Sequence, residues 1–174
     1  SSMLVDARTL PREADLAVFL RSTYRLPMRL ACVDSGYRTE EIYRMCAGSA
    51  VLRAVRGDAG GGGIPITQRK VSLGPVTTTL HVVDVSWAKD LLHERAHGDR
   101  WELARGIPRA YLDQLTAERK QLVRTELSAT TGRQREVWRW TPRAVGVANH
   151  FLDAEVYALA AAEIVGLGRP IDVT

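Results

Sequence analysis

A strand, a helix and a second strand in quick succession constrain this chain more than any other feature. Leu30 to Val33 is an apolar run of the length of a buried strand, and it stops at the turn-forming Asp34-Ser35-Gly36. Thr39 can cap a following helix, whose first turn carries Glu40 and Glu41 where negative charge meets the positive end of the helix dipole. Ile42, Met45 and Cys46 share one face of that helix, and Gly48 ends it. Val51 to Val55 then reads as the next strand. Strand, helix, strand in this order predicts a βαβ unit with parallel strands, and so an α/β layered fold.

The rest of the chain fills in around that unit. Glu13 to Arg25 reads as a helix with Leu16, Phe19 and Leu20 on its apolar face; Pro11 suits its start and Pro27 its end. Gly57 to Gly63 reads as a flexible loop, not a phosphate-binding P-loop, because no Gly-Lys-Ser/Thr follows. Val71 to Leu73 and Val76 to Val83 flank a Gly74-Pro75 turn as a hairpin does. Ser86 is the expected cap of a helix from Trp87 to His97, and Pro108 opens a helical piece with Tyr111, Leu112 and Leu115 inward. Glu118 to Trp140 alternates basic and apolar residues and contains strand structure. Asn149 to Val165 is a regular helix with Leu152, Val156, Leu159 and Ala160 on one side and Asn149 as its cap.

With 174 residues the chain is sized for one domain with a sizeable core. No apolar run reaches the roughly 20 residues of a membrane-spanning helix, which argues against a membrane protein. Ser1-Ser2-Met3 reads as a cloning remnant, and 4–174 as the domain. Cys32 and Cys46 match neither a zinc pattern nor a disulfide framework and fit a reducing cytoplasm. The net charge is only +4, but Arg53, Arg56, Arg69 and Lys70 flank the glycine run, and Arg133, Arg135, Arg139 and Arg143 crowd a later segment. Such clusters are phosphate footprints or ordinary solvated surface.

Two acidic residues invite chemistry. Asp34 ends a strand beside a glycine that opens space, which suits a metal or phosphate site; the bland alternative is a turn cap. Asp153 lies one turn into the last helix, where the dipole keeps a carboxylate ionised. Asp84 ends a strand as well, and either lies near that chemistry or leads the next helix. Ser35 and Tyr37 have no neighbouring base to make a nucleophile of them.

At this point the residues carry a resemblance. Asp34-Ser35-Gly36-Tyr37-Arg38-Thr39 with Ile42-Tyr43, then Tyr111-Leu112-Asp113-Gln114-Leu115-Thr116-Ala117-Glu118-Arg119, then Asn149-His150-Phe151-Leu152-Asp153-Ala154-Glu155-Val156-Tyr157 stand in the order of three blocks of phage terminase large subunits of the lambda GpA type. Lys89 fits the lysine after that family's middle strand. The resemblance implies an RNase H-like mixed sheet with flanking helices and an endonuclease that cuts double-stranded DNA with two divalent ions, Mg²⁺ or Mn²⁺. It implies Asp34 and Asp153 as acidic ligands, brought together from a strand tip and a C-terminal helix; Asp84, by its own place at a strand end, is a further candidate metal ligand. Around them the resemblance suggests His150 and Asn149 beside the site, Lys89 on phosphate or orienting Asp34, and the Arg133, Arg135, Arg139 and Arg143 cluster on the DNA backbone. In the full protein the partners would be the ATPase motor, the small terminase subunit and the portal, in the cytoplasm of a bacterial host.

The family's opening strand, with the first acidic ligand in a G-V-D-x-Q block, has no counterpart here, and Asp6 lies in the wrong context to replace it. The expectation is therefore a partial nuclease domain without its first strands or the motor, whose exposed sheet edge favours self-association. The competing function is a catalytically incomplete module that binds DNA or packaging partners.

Overall fold

The computed structural model describes residues 2–4, 18, 21–23, 25, 30–59, 63–127 and 132–167, the side chains of 2–4 and 135 excepted. The expected helix from Glu13 to Arg25 lies largely outside them; Val18 and residues 21–23 are helical. The chain divides into two compact units, 8–88 with 155–174, and 1–7 with 89–154.

The first unit is the predicted βαβ and its hairpin. β2 (Ala31–Asp34), β3 (Leu52–Asp58), β4 (Ile66–Leu73) and β5 (Val76–Asp84) form a mixed sheet in the order β2-β3-β5-β4. β2, β3 and β5 run parallel, and β4 is antiparallel to β5. Gly74 has φ 58 in the first central place of the Gly74-Pro75 turn, a conformation that two-residue hairpin turns require.

α1 (Thr39–Ala47) joins β2 to β3. Its cap differs from expectation. Arg38 takes the left-handed N-cap position, and Thr39 is the first helical residue, its hydroxyl donating to the Ser35 carbonyl at 2.7 Å. Ile42, Tyr43 and Cys46 of α1 bury against Ala54 and Leu80, with Val33, Leu52 and Val82 around them. Leu80 is fully buried, a gain of about 1.5–3 kcal/mol for a side chain of its kind.

The opposite face of the sheet is buried too, at Val55, His81 and Val83, as expected of parallel strands covered on both sides. Gly57 belongs to this face and not to a mobile loop. A Cβ there would come within 2.7 Å of Val85 Cγ1 and 3.4 Å of the Tyr157 hydroxyl, so the strand needs glycine to let its neighbours close in.

The second unit holds α2 (Val85–His97) from Lys89 onward, β6 (Trp101–Leu103), α3 (Arg109–Leu115), the β7 (Glu118–Leu127) and β8 (Gln134–Pro142) hairpin, and the start of α4 (His150–Ile164). β1 (Ser2–Leu4) pairs in parallel with β6, so the segment set aside as a remnant is part of the pairing pattern. Tyr111 is 1% exposed and packs against Phe151 with ring centroids 5.4 Å apart, whereas Leu112, expected inward, is 37% exposed.

Capping again departs from the simple reading. Asp84, not Ser86, caps α2: its Oδ1 accepts from the backbone N–H groups of Ser86 and Trp87 at 2.9 and 3.0 Å. At α4 the Phe151 N–H is taken by the Gln114 side chain at 3.0 Å, which leaves the Asn149 amide for another partner. Cys32 and Cys46 are both free thiols. Burial pushes the Cys32 thiol up to about 11, against the pull of Arg53, so it is neutral at ordinary pH. No helix among the described residues is long and apolar enough to cross a membrane.

Candidate active site

The three parallel strands β2, β3 and β5 all end in aspartate: Asp34, Asp58 and Asp84. In α/β sheets the carboxyl ends of parallel strands are where ligands bind. Asp58 escaped the sequence reading because it abuts the glycine run and looked like loop.

Register decides which of the three meet. Asp58 pairs with Asp84, but Asp34 pairs with Val55, three residues earlier on β3. At about 3.3 Å per residue that is roughly 10 Å along the strand. The odd offset also puts Asp34 on the face of Val55 and Val83, and Asp58 and Asp84 on the other.

Asp34 is exposed, and its Oδ1 accepts from the Gly36 N–H at 2.9 Å. A Cβ on Gly36 would lie 3.3 Å from that oxygen, so the glycine does open space beside the carboxylate. Ser35 is fully buried and donates its hydroxyl to the Val55 carbonyl at 2.8 Å, a structural clamp and not a nucleophile. Next to it Tyr37 is 82% exposed. Asp84 is 9% exposed, with one oxygen committed to the α2 cap.

The second unit holds a different acidic arrangement. Lys89 is buried, its ammonium donating to Glu118 Oε2 at 2.7 Å and lying 3.9 Å from Asp153 Oδ1. Glu118 is buried as well, and its Oε1 accepts from Asn149 Nδ2 at 2.8 Å. Lys89 is therefore neither an exposed helical lysine nor a surface phosphate contact. Glu118 stands in the second of the three blocks, with no site role expected of it. Its signal was weak, because a glutamate opening a basic strand looks like surface until a lysine from another element is packed on it. His150 begins α4 and is exposed.

The arginines lie on and beside the β7–β8 hairpin. Arg119 and Arg139 are exposed and share its outer face, while Lys120 and Trp140 face α2, both bonded to Asp90 at 2.6 and 2.9 Å. Arg133 precedes β8 and Arg143 follows it, both exposed; the Arg135 side chain lies outside the described residues. Trp138 is not core. It is 48% exposed, with its indole donating to Glu136.

A crevice of about 400 Å³ opens in the first unit, lined by Arg53, Gln68, Thr78, Thr79 and His81 among others. His81 is 4% exposed with an unbonded Nδ1, and burial holds its pKa below the usual histidine value.

These donors suit a hard divalent ion in kind, being carboxylate oxygens at a strand end and in the first turn of a helix. Among the described residues no group of three or more His, Cys, Asp or Glu side chains is placed to hold an ion. The family model described as terminase large subunit gpA, endonuclease domain, matches residues 14–172. The chain belongs to this family. No match is found among curated proteins or among solved structures. The mixed four-stranded sheet with flanking helices is consistent with a terminase nuclease of RNase H-like type, and membership supports an endonuclease of phage DNA packaging. Nuclease domains of this kind generally use divalent metals.

Proposed function

We propose that this terminase domain hydrolyses phosphodiesters of double-stranded DNA by a two-metal mechanism, with Asp34 and Asp153 as ligands of Mg²⁺ or Mn²⁺ and Asp84 nearby. The observation that carries the reading is Asp34: an exposed carboxylate at the carboxyl end of a parallel strand, with Gly36 keeping the space beside it clear. Ions held there would activate the attacking water and offset the charge that develops on the phosphate.

The remaining roles belong to the chain itself. Asp34 is held in a tight turn by the Gly36 N–H, so its second oxygen has a defined direction. Arg139, Arg133, Arg135 and Arg143, with Arg119, would grip the DNA backbone without reading sequence. Lys89 belongs beside Asp153 more than on the DNA surface, since Glu118 holds its ammonium in the interior. Asn149 acts through Glu118, and His150 stands exposed at the head of the same helix. In the full protein the partners on this reading are the ATPase motor, the small terminase subunit and the portal, in the bacterial cytoplasm. β2 pairs only with β3 among the described residues, which leaves an edge for self-association.

The lack of a gathered three-ligand group among the described residues favours a second reading, a DNA- or partner-binding module without catalysis of its own. Cleavage of supercoiled plasmid with Mn²⁺ or Mg²⁺ separates the two. On the nuclease reading the chain nicks DNA only with metal, and Asp34→Ala and Asp153→Ala each lower the rate on the order of 10³-fold, several kcal/mol of transition-state stabilisation at about tenfold per 1.36 kcal/mol. A parent chain that binds DNA but never cuts it, with either metal, leaves the module.

A further inference from the structure

The Lys89 ammonium faces two carboxylates on unequal terms. It stands 2.7 Å from Glu118 Oε2, a charge-assisted hydrogen bond, and 3.9 Å from Asp153 Oδ1, which is attraction by charge alone. The surroundings differ as well: the Lys89 and Glu118 side chains are 8% and 6% exposed, and that of Asp153 is 44% exposed. Glu118 is further fixed by Asn149 Nδ2 on its other oxygen at 2.8 Å, so its carboxylate is held from both sides. A tethered cation this close to Asp153 is a competitor for any other cation that approaches it.

We propose that Glu118 is a positioning residue: by holding the Lys89 ammonium on itself, it keeps that ammonium from closing on Asp153 and so sets how tightly Asp153 takes a divalent cation. The inference rests on the reading of Asp153 as a ligand. Glu118→Gln preserves the shape of the side chain and an oxygen for Asn149 but removes the charge that anchors the lysine. The ammonium then has Asp153 as its remaining carboxylate partner in this network, and a divalent ion must displace a closed ion pair. Removing the ammonium as well takes the competitor away. A Glu118 that served only packing would change stability and leave cation binding at Asp153 where it was.

The test is titration of the whole folded chain with Mn²⁺, without DNA, following free Mn²⁺ by its electron paramagnetic resonance signal. Glu118→Gln is expected to weaken binding about tenfold, and Lys89→Met/Glu118→Gln to bring it back to the parent's or tighter, with Asp153→Asn as the control that reports on the ligand itself. An unchanged Kd in Glu118→Gln, or the same weakening in the double variant, overturns the inference. If Asp153→Asn abolishes binding while Glu118→Gln leaves it alone, the inference falls and the ligand role stands. If Asp153→Asn changes nothing, or the parent takes up no Mn²⁺, both fall. Where Glu118→Gln fails to fold, Glu118→Asp takes its place, since one methylene fewer draws the carboxylate off the Lys89 ammonium while keeping a charge in the interior: weaker Mn²⁺ binding that Lys89→Met reverses supports the inference, and an unchanged Kd overturns it.

Discussion

The two units keep their carboxylates in opposite ways. In the first, Asp34 stands in water at a strand end, bonded to its own turn, and no ion pair to it forms among the described residues. In the second, Glu118 is out of water and is matched by Lys89 and Asn149. A solvated carboxylate costs the fold little and is ready for a ligand. A buried one must have its charge met from within, because the effective desolvation penalty is several kcal/mol per ion. The first arrangement is suited to meeting the outside; the second is suited to holding geometry.

The widest gap between the two is expected in stability. Lys89→Met should cost about 3–5 kcal/mol in urea unfolding, since it strands a buried Glu118, while Asp34→Asn stays within about 0.5 kcal/mol. Equal costs for the two would erase the contrast. Gly57→Ala sharpens it from the side of the first unit: the new methyl meets Val85 at 2.7 Å, and overpacking of that kind costs about 1–3 kcal/mol, again read by urea unfolding. A smaller effect concerns the exposed arginines. Arg139→Ala should reduce the salt dependence of DNA binding by about one unit of slope in log K against log salt, with no loss of stability.

The least effect, visible only in acid, belongs to His81. Burial lowers its pKa from 6.5, with the Arg53 charge adding and a backbone hydrogen bond at Ala54 opposing. The unfolded chain therefore binds the proton more readily, and the histidine's contribution to stability is present above about pH 6.5 and lost as pH falls toward its folded value. His81→Gln should flatten the decline of Tm between about pH 6.5 and 5 relative to the parent. A parallel decline in both proteins would show that other groups carry the acid sensitivity.

Much of the first unit was legible in sequence because its signals are local. An apolar run ending in Asp34-Ser35-Gly36, acids in the first turn of α1 and a Gly-Pro turn between β-rich runs each depend on neighbours within a few residues. The caps were less legible. Thr39, Ser86 and Asn149 are all good capping residues, but Arg38 holds the N-cap position of α1 with no side-chain bond, and Asp84 and Gln114 supply the acceptors at α2 and α4, because the chain's approach to each helix, and not residue type alone, decides what reaches its end. The exposure of Trp138 was no more legible: alternation along β8 tells two faces apart without saying how far α2 reaches to cover one of them.

By itself the sequence determined the parallel βαβ unit, the Gly74-Pro75 hairpin, the last helix, the family and the acid at the end of β2. Only tertiary structure decided that Asp34 is offset by three residues from the Asp58–Asp84 row, and that Lys89 is buried on Glu118 beside Asp153. Local propensity and periodicity act over a turn or two of chain. Strand register and ion pairing join residues about 20 or more positions apart, and are set by which surfaces close on one another when water is expelled.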